Sequence, residues 1–257
     1  HAKGQTRGKI HMIVTTTNKL IGVTPTILTD AGVAQTPANI SDPDHSNTYT
    51  SGTSTGPFTI SFGAQTGISY VAISGHNSVI SADAVISVTD GASTVQQVTI
   101  SRNHNLVMSF DLRDFTDLRV TFAPDPNIQQ TTVSYIAAGT YLAIPRGEQS
   151  GYSRQWLKRH TTSRASTNLM VGPTGVIQKK VALKGSLSIP NQTIDFAETF
   201  WQNFMDFSYD QPFFIKEDDA KAESSYICYD PKHDIKAHSD TRLLVNPTMK
   251  FTCFNGL

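Results

Sequence analysis

Val181-Ala182-Leu183-Lys184-Gly185-Ser186-Leu187-Ser188-Ile189 is the stretch on which the reading of this chain turns, because its larger apolar residues fall on alternate positions. Successive side chains of a strand point to opposite faces, so the spacing predicts a β-strand that buries Val181, Leu183, Leu187 and Ile189 together. Pro190 ends it. From Thr193 the period changes: Phe196, Phe200, Phe204 and Phe207 recur every three or four residues with Ala197 and Trp201 beside them, which predicts a helix over 193–207 with a wide apolar stripe. Asn191 or Thr193 can cap its start, and Asp195 and Glu198 fall in the first turn, where the helix dipole favours anions. Pro212-Phe213-Phe214-Ile215 reads as a strand again. The aromatic residues of this unit are expected to pack a helix onto a sheet rather than line a cofactor pocket, and no cofactor is expected.

Working outward, the 257 residues suffice for one large domain or two ordinary ones. Charged residues make up 16% and the formal net charge is zero, so no overall field draws the chain to nucleic acid or an anionic membrane. The balance is uneven along the chain. Residues 1–29 hold four cations and no carboxylate (+4), residues 30–145 three against nine (−6), and residues 146–257 fourteen against twelve (+2). No apolar run approaches the roughly 20 residues of a membrane-spanning helix, so no membrane insertion is expected. Cys228 and Cys253 read as two buried thiols in preference to a bridge, since one pair is not a disulfide framework.

Met12 to Thr17 is strand-like, and Leu20 to Val23 is a second short apolar group. Composition then shifts. Residues 35–57 are rich in Ser, Thr, Pro, Gly, Asn and Asp, and after them come short alternating runs at 58–62, 68–73, 85–88, 95–100, 106–110, 118–122, 133–136 and 141–144. Asp90-Gly91 marks a hairpin between two of them. About eight short strands without a helical period describe a β-sandwich. Residues 146–180 are polar and basic, with Arg154, Lys158, Arg159, Arg164, Lys179 and Lys180 as candidate partner contacts on a long loop. Beyond the central unit, Glu217-Asp218-Asp219 form an acidic turn, Tyr226 to Tyr229 a strand, and Val245 to Cys253 the last strand.

No catalytic constellation emerges, and no enzyme is expected. Gly52-Thr53-Ser54-Thr55-Gly56 has the G-x-S-x-G spacing of serine hydrolases but lies in a polar loop with no apolar strand before it. His233 and His238 lack a second ligand pair, so surface loops are expected for both. Asp111, Asp114 and Asp117 are expected in a solvated loop.

Residues 30–145 resemble the galactose-binding-like (discoidin-type) β-sandwich. The likeness lies in Pro37-Ala38-Asn39, Asp44 to Tyr49, Gly56-Pro57-Phe58 to Gly63, Tyr70 to Asn77 and Leu118 to Phe122, with Tyr49 where that family has Trp. The resemblance implies glycan or lipid-head-group contacts through loops 40–56, 75–82 and 102–106. Tyr49, His76, Asn77 and Arg102 are the glycan candidates, and Asp42, Asp44 and Asn47 the Ca²⁺ candidates. Residues 1–29 with 146–257 are similar in element order to the tail-tube-like domain of long-tailed bacteriophages. Together these imply a mainly β chain: a tail-tube-like β-sandwich or barrel with one packed α-helix, plus the inserted galactose-binding-like sandwich. The function implied is that of a non-enzymatic virion structural protein, a subunit of a tail tube or distal tail ring assembled in the bacterial host cytoplasm. Its partners would be copies of itself in a ring, expected to be a hexamer, and neighbouring tail proteins. A host-surface glycan is a further partner, and DNA enters only as passing cargo. A lectin-like adhesin is the alternative.

Overall fold

The computed structural model describes residues 11–28, 40–43, 48–51, 56–145, 161–165, 175–179, 183–237 and 244–254. Its strands are β1 (His11–Thr15), β2 (Thr26–Ile27), β3 (Tyr49–Thr50), β4 (Phe58–Ser61), β5 (Gln65–Ser74), β6 (Ala84–Asp90) and β7 (Ser93–Ile100). There follow β8 (Leu106–Phe115), β9 (Leu118–Ala123), β10 (Thr132–Val133), β11 (Tyr135–Gly139), β12 (Tyr141–Pro145), β13 (Thr161–Ala165) and β14 (Gly175–Lys179). After β15 (Leu183–Ser188) and β16 (Gln192–Thr193), a π-helical turn over Phe196–Trp201 runs into α1 (Gln202–Asp210). The strands β17 (Phe213–Lys216), β18 (Ser225–Ala237) and β19 (Leu244–Phe254) complete the order.

The fold is mainly β, and its layers follow from which strands are apolar on one face and which on both. A seven-stranded antiparallel sheet has the order β12-β1-β17-β18-β19-β15, with β16 also paired to β19. On one face it carries the helix. Trp201 and Phe204 pack there against Met12, Val14, Phe213, Ile215, Tyr226, Cys228, Met249 and Phe251. The sandwich is a three-stranded sheet (β11-β5-β8) facing a five-stranded one (β2-β4-β9-β6-β7). Val71, Ile73, Ile136 and Ala138 of the first meet Ile60, Ile86, Val88, Val120 and Phe122 of the second.

The remaining faces pack against each other. Tyr70, Ala72, Val107, Tyr135 and Ala137, on the back of the three-stranded sheet, form a third core with Phe214 and Ile227 from the back of the seven-stranded sheet. Period-2 alternation therefore splits each of these strands between two cores: Phe213 and Ile215 face the helix, while Phe214 faces the sandwich. Strands covered on both sides read as unbroken apolar runs, as Tyr70 to Ile73 and Tyr226 to Cys228 do.

Several expectations change. Leu20, Val23 and Ile27 belong to the sandwich core, and Tyr141–Pro145 pairs with β1 in the large sheet, so the chain crosses near residues 16 and 140 rather than at 30 and 145. The cause is geometric: β1 and β12 are antiparallel neighbours, which brings the two crossings side by side. The helix runs from Ile194 to Asp210, not over 193–207. Thr193 caps it, its Oγ1 accepting the Phe196 N–H at 3.1 Å. The buried stripe is Ala197, Trp201, Phe204 and Ser208, while Phe196, Phe200 and Phe207 are only partly covered. Within the long basic segment, β13 and β14 pair antiparallel from Thr161↔Lys179 to Ala165↔Gly175. The β-branched runs Thr161-Thr162 and Val176-Ile177 suit such a ladder. Arg164 and Lys179 lie on these strands, whereas Arg154, Lys158, Arg159 and Lys180 lie outside the described residues.

Candidate functional site

Where the sandwich meets the large sheet, the turn after β17 folds back on the connection between β7 and β8. Lys216 starts this turn, almost wholly buried, with Nζ donating to Ser109 Oγ at 3.0 Å and lying 3.5 Å from Asp219 Oδ1. Burial lowers its pKa, and Asp219 opposes that shift. Asp219 also accepts from Ser109 Oγ at 2.9 Å, so one carboxylate ties sandwich to turn. The turn closes on itself through Glu217 N–H to Ser224 O and Ser224 Oγ to Lys221 O, at 2.9 and 2.7 Å. Two bonds then bind it to the sandwich: Val107 N–H to Ala222 O at 3.2 Å and Arg102 N–H to Glu223 Oε1 at 3.1 Å.

Between these walls lies a cleft of about 490 Å³, whose charged and aromatic lining is Arg102, His104, Glu217, Lys221, Glu223 and Tyr226. Its charged residues are two cations and two carboxylates. Such a lining offers donors and acceptors without a net field, which suits a neutral polyhydroxylated ligand better than a phosphate or a polyanion.

Beside the cleft the loop end of the sandwich is braced by buried polar groups. Asp125 accepts the N–H groups of Ser81, Ala82 and Asn127 at 2.6, 2.7 and 2.9 Å, and these donors, with the Asn127 contact first, hold its carboxyl far below the usual carboxylate range. Asn103 mimics a strand partner, accepting from Val79 N–H and donating to Val79 O, both at 2.8 Å.

The residues singled out in the sequence divide sharply. Arg102 is exposed and lines the cleft. Tyr49 is buried in the sandwich core with its ring 6.2 Å from Phe58, so it cannot stack on a sugar. His76 is fully buried, its Nε2 donating to His104 O at 2.8 Å, so it too presents nothing to a ligand. Asn77 bridges backbone instead: its Oδ1 accepts from Thr132 N–H at 2.7 Å. Asp42 is exposed, while Asp44 and Asn47 lie outside the described residues. No group of three or more metal-ligating side chains occurs among the described residues. Ser54 is outside them as well.

Two expectations about loops are corrected. His233 is half-buried on β18, edge-on to the rings of Trp201, Phe204 and Tyr209, with Nε2 2.8 Å from Ser208 Oγ; His238 is outside the described residues. Asp111 and Asp114 lie on β8, and Asp117 sits in the β8–β9 turn, where it pairs with Arg119 at 2.6 Å. The carboxylates of Asp90, Asp114 and Asp117 tie down neighbouring turns, with Asp90 accepting Thr116 N–H at 2.9 Å.

Burial keeps both inner imidazoles neutral, lowering His76 and His233 from 6.5 to about 4. An unfolded chain takes up protons between pH 6.5 and 4 that the folded chain refuses. This contribution to stability is therefore complete above pH 6.5 and is lost as pH falls towards 4. His76 alone sets an upper bound of about 3 kcal/mol, and half-buried His233 adds a smaller, solvent-screened part. Urea unfolding at a series of pH values should show this slope, and a His76→Asn variant that folds should show a flatter one. An equally steep profile in that variant would remove His76 as the cause.

No family profile matches the chain, and no curated protein does. Solved structures do. A fucose-binding module of Streptococcus pneumoniae is similar at a TM-score of 0.38 and 8% identity, covering 48% of this chain and 95% of its own. Chitosan-binding module 1 of a chitosanase/glucanase from Paenibacillus sp. IK-5 gives 0.37 and 14%, covering 48% and 99%. The family 32 carbohydrate-binding module of NanJ from C. perfringens, solved with galactose, gives 0.36 and 16%, covering 51% and 99%.

Proposed function

We propose that this chain is a non-enzymatic carbohydrate-binding protein, in which the sandwich and the turn of the scaffold sheet together hold a neutral sugar. The charge-balanced cleft carries this reading: Arg102 and Lys221 line it together with Glu217 and Glu223, and Arg102, Lys221 and Glu223, which reach its surface, can form charge-assisted hydrogen bonds to sugar hydroxyls. The solved modules named above include one holding galactose, in keeping with such a ligand. Residues 17–139 would be the binding module, and the sheet built from 11–15, 141–145 and 183–254 its scaffold.

Titrating the full chain with galactose and with GalNAc-β-1,3-galactose, followed by calorimetry, tests the reading. Saturable binding is expected, weakened roughly tenfold or more in Arg102→Ala and Lys221→Ala. Absence of binding to either sugar at millimolar concentration, or binding untouched by both variants, would leave the cleft without this role.

A subunit of a phage tail ring is the second reading. It is supported by the succession β15, helix, β17, β18 and β19 in a sheet that also takes in β1, the element order on which the tail-tube resemblance rests. Mass spectrometry of purified virions would find the chain if that reading holds and miss it otherwise.

A further inference from the structure

Cys228 and Cys253 lie directly opposite each other on the antiparallel strands β18 and β19. Both belong to the core beneath the helix, so their side chains leave the sheet on the same face, and both are fully buried. Cys228 Sγ lies 3.8 Å from Tyr226 O, to which it donates. Directly opposed residues of an antiparallel pair have Cα atoms about 4.5–5.5 Å apart, within the roughly 4.4–6.8 Å that a disulfide spans. Neither sulfur has to cross a strand to reach the other.

We propose that Cys228 and Cys253 form an oxidisable dithiol, a redox latch that closes into a cross-strand disulfide in the presence of a peroxide. Access comes from the end of the ladder. Among the described residues, Cys228↔Cys253 is followed by the last pair Ile227↔Phe254, where Phe254 is 43% exposed. Cys253 also pairs with Leu183 of β15, so Cys253 is uncovered when this end of β19 opens from both neighbouring strands. Burial and the neighbouring thiol raise the pKa of Cys228, which keeps it protonated as the resolving partner. The Cys253 sulfur attacks one peroxide oxygen; the O–O bond breaks, water leaves, and a sulfenic acid remains. The Cys228 sulfur then attacks that sulfur: the S–S bond forms, the S–O bond breaks, and the second oxygen departs as water with the Cys228 proton. Two thiols lose two electrons and two protons, and the peroxide takes up both.

The latch would also fix the seam. Phe254 O accepts from Asn105 Nδ2 of the sandwich at 2.8 Å, so tying residue 253 to β18 holds this cross-sheet bond in place.

The test is to treat the full chain with hydrogen peroxide, alkylate in denaturant and measure intact mass and Tm. The expected product is monomeric, lighter by about 2 Da, and carries no alkylated thiol. Its Tm rises by roughly 5 °C or more, because the bridge restricts the unfolded chain, and reduction reverses the change. Cys228→Ala and Cys253→Ala should each abolish the rise. Two alkylatable thiols after treatment, oxidation that stops at a sulfinic acid, a bridge between chains, or an unchanged or lower Tm would each overturn the latch. These readouts are independent of sugar binding.

Discussion

Phe214→Ala is expected to lower the free energy of unfolding by about 3–5 kcal/mol and to separate one unfolding transition into two. Phe214 is fully buried, and its ring stacks on Tyr135 with centroids 6.2 Å apart and planes 10° from parallel. Ile227, Tyr70, Ala72, Val107 and Ala137 belong to the same small core. That core joins the other two. The helix side of the large sheet and the interior of the sandwich hold the larger clusters, and the layer around Phe214 is where the two modules share apolar contacts. Removing the ring leaves a cavity at the junction, and the flanking sheets cannot collapse into it because their opposite faces are already packed. The polar ties of the seam then act without their apolar centre. Chemical denaturation followed by near-ultraviolet circular dichroism and fluorescence would report both effects. Probes that coincide in the wild type should diverge in the variant. A loss under about 1 kcal/mol with coincident probes would mean that the modules do not depend on this layer.

The same residue shows what could be read from the chain beforehand. Phe213-Phe214-Ile215 reads as a strand, but one-dimensional order does not say that both its faces are covered, or by which elements. The strands of the sandwich were legible for the opposite reason. Phe58, Ile60 and Phe62, or Leu118, Val120 and Phe122, alternate cleanly because one side faces the core and the other is polar. Asp90-Gly91 named its own turn: it closes the β6–β7 hairpin with Gly91 at a φ of 57°. Tyr49 and His76 were misplaced because an aromatic or imidazole ring beside a Ser-rich loop can belong to the loop or to the core under it. Of the cleft, only Arg102 and its loop could be picked out from the sequence. Its walls come from residues 98–104 and 217–226, more than a hundred positions apart, and Glu217-Asp218-Asp219 taken alone is only an acidic turn.

Gly139→Ala should destabilise the chain by at least about 3 kcal/mol, although it adds only one methyl group. The two crossings between the modules run side by side here. Thr16 N–H donates to Thr140 O at 2.8 Å, Lys19 N–H to Ala138 O at 2.7 Å, and Thr140 N–H to Thr17 Oγ1 at 2.9 Å. A Cβ on residue 139 would collide with the Thr17 carbonyl, lying 2.6 Å from Thr17 Oγ1 and 2.9 Å from the carbonyl carbon. Thr17 cannot yield cheaply, since its carbonyl accepts the Tyr70 hydroxyl at 2.7 Å and its hydroxyl contacts that of Thr140 at 2.9 Å. Relief on one side breaks bonds that anchor both modules. Gly91→Ala is the informative comparison: its Cβ would meet nothing within 4 Å, and only its positive φ resists, at about 1 kcal/mol. Urea unfolding of the two variants should therefore rank Gly139→Ala well below Gly91→Ala. Equal losses would imply that the crossings can part without cost, and a waist that parts freely could not transmit the packing around Phe214 from one module to the other.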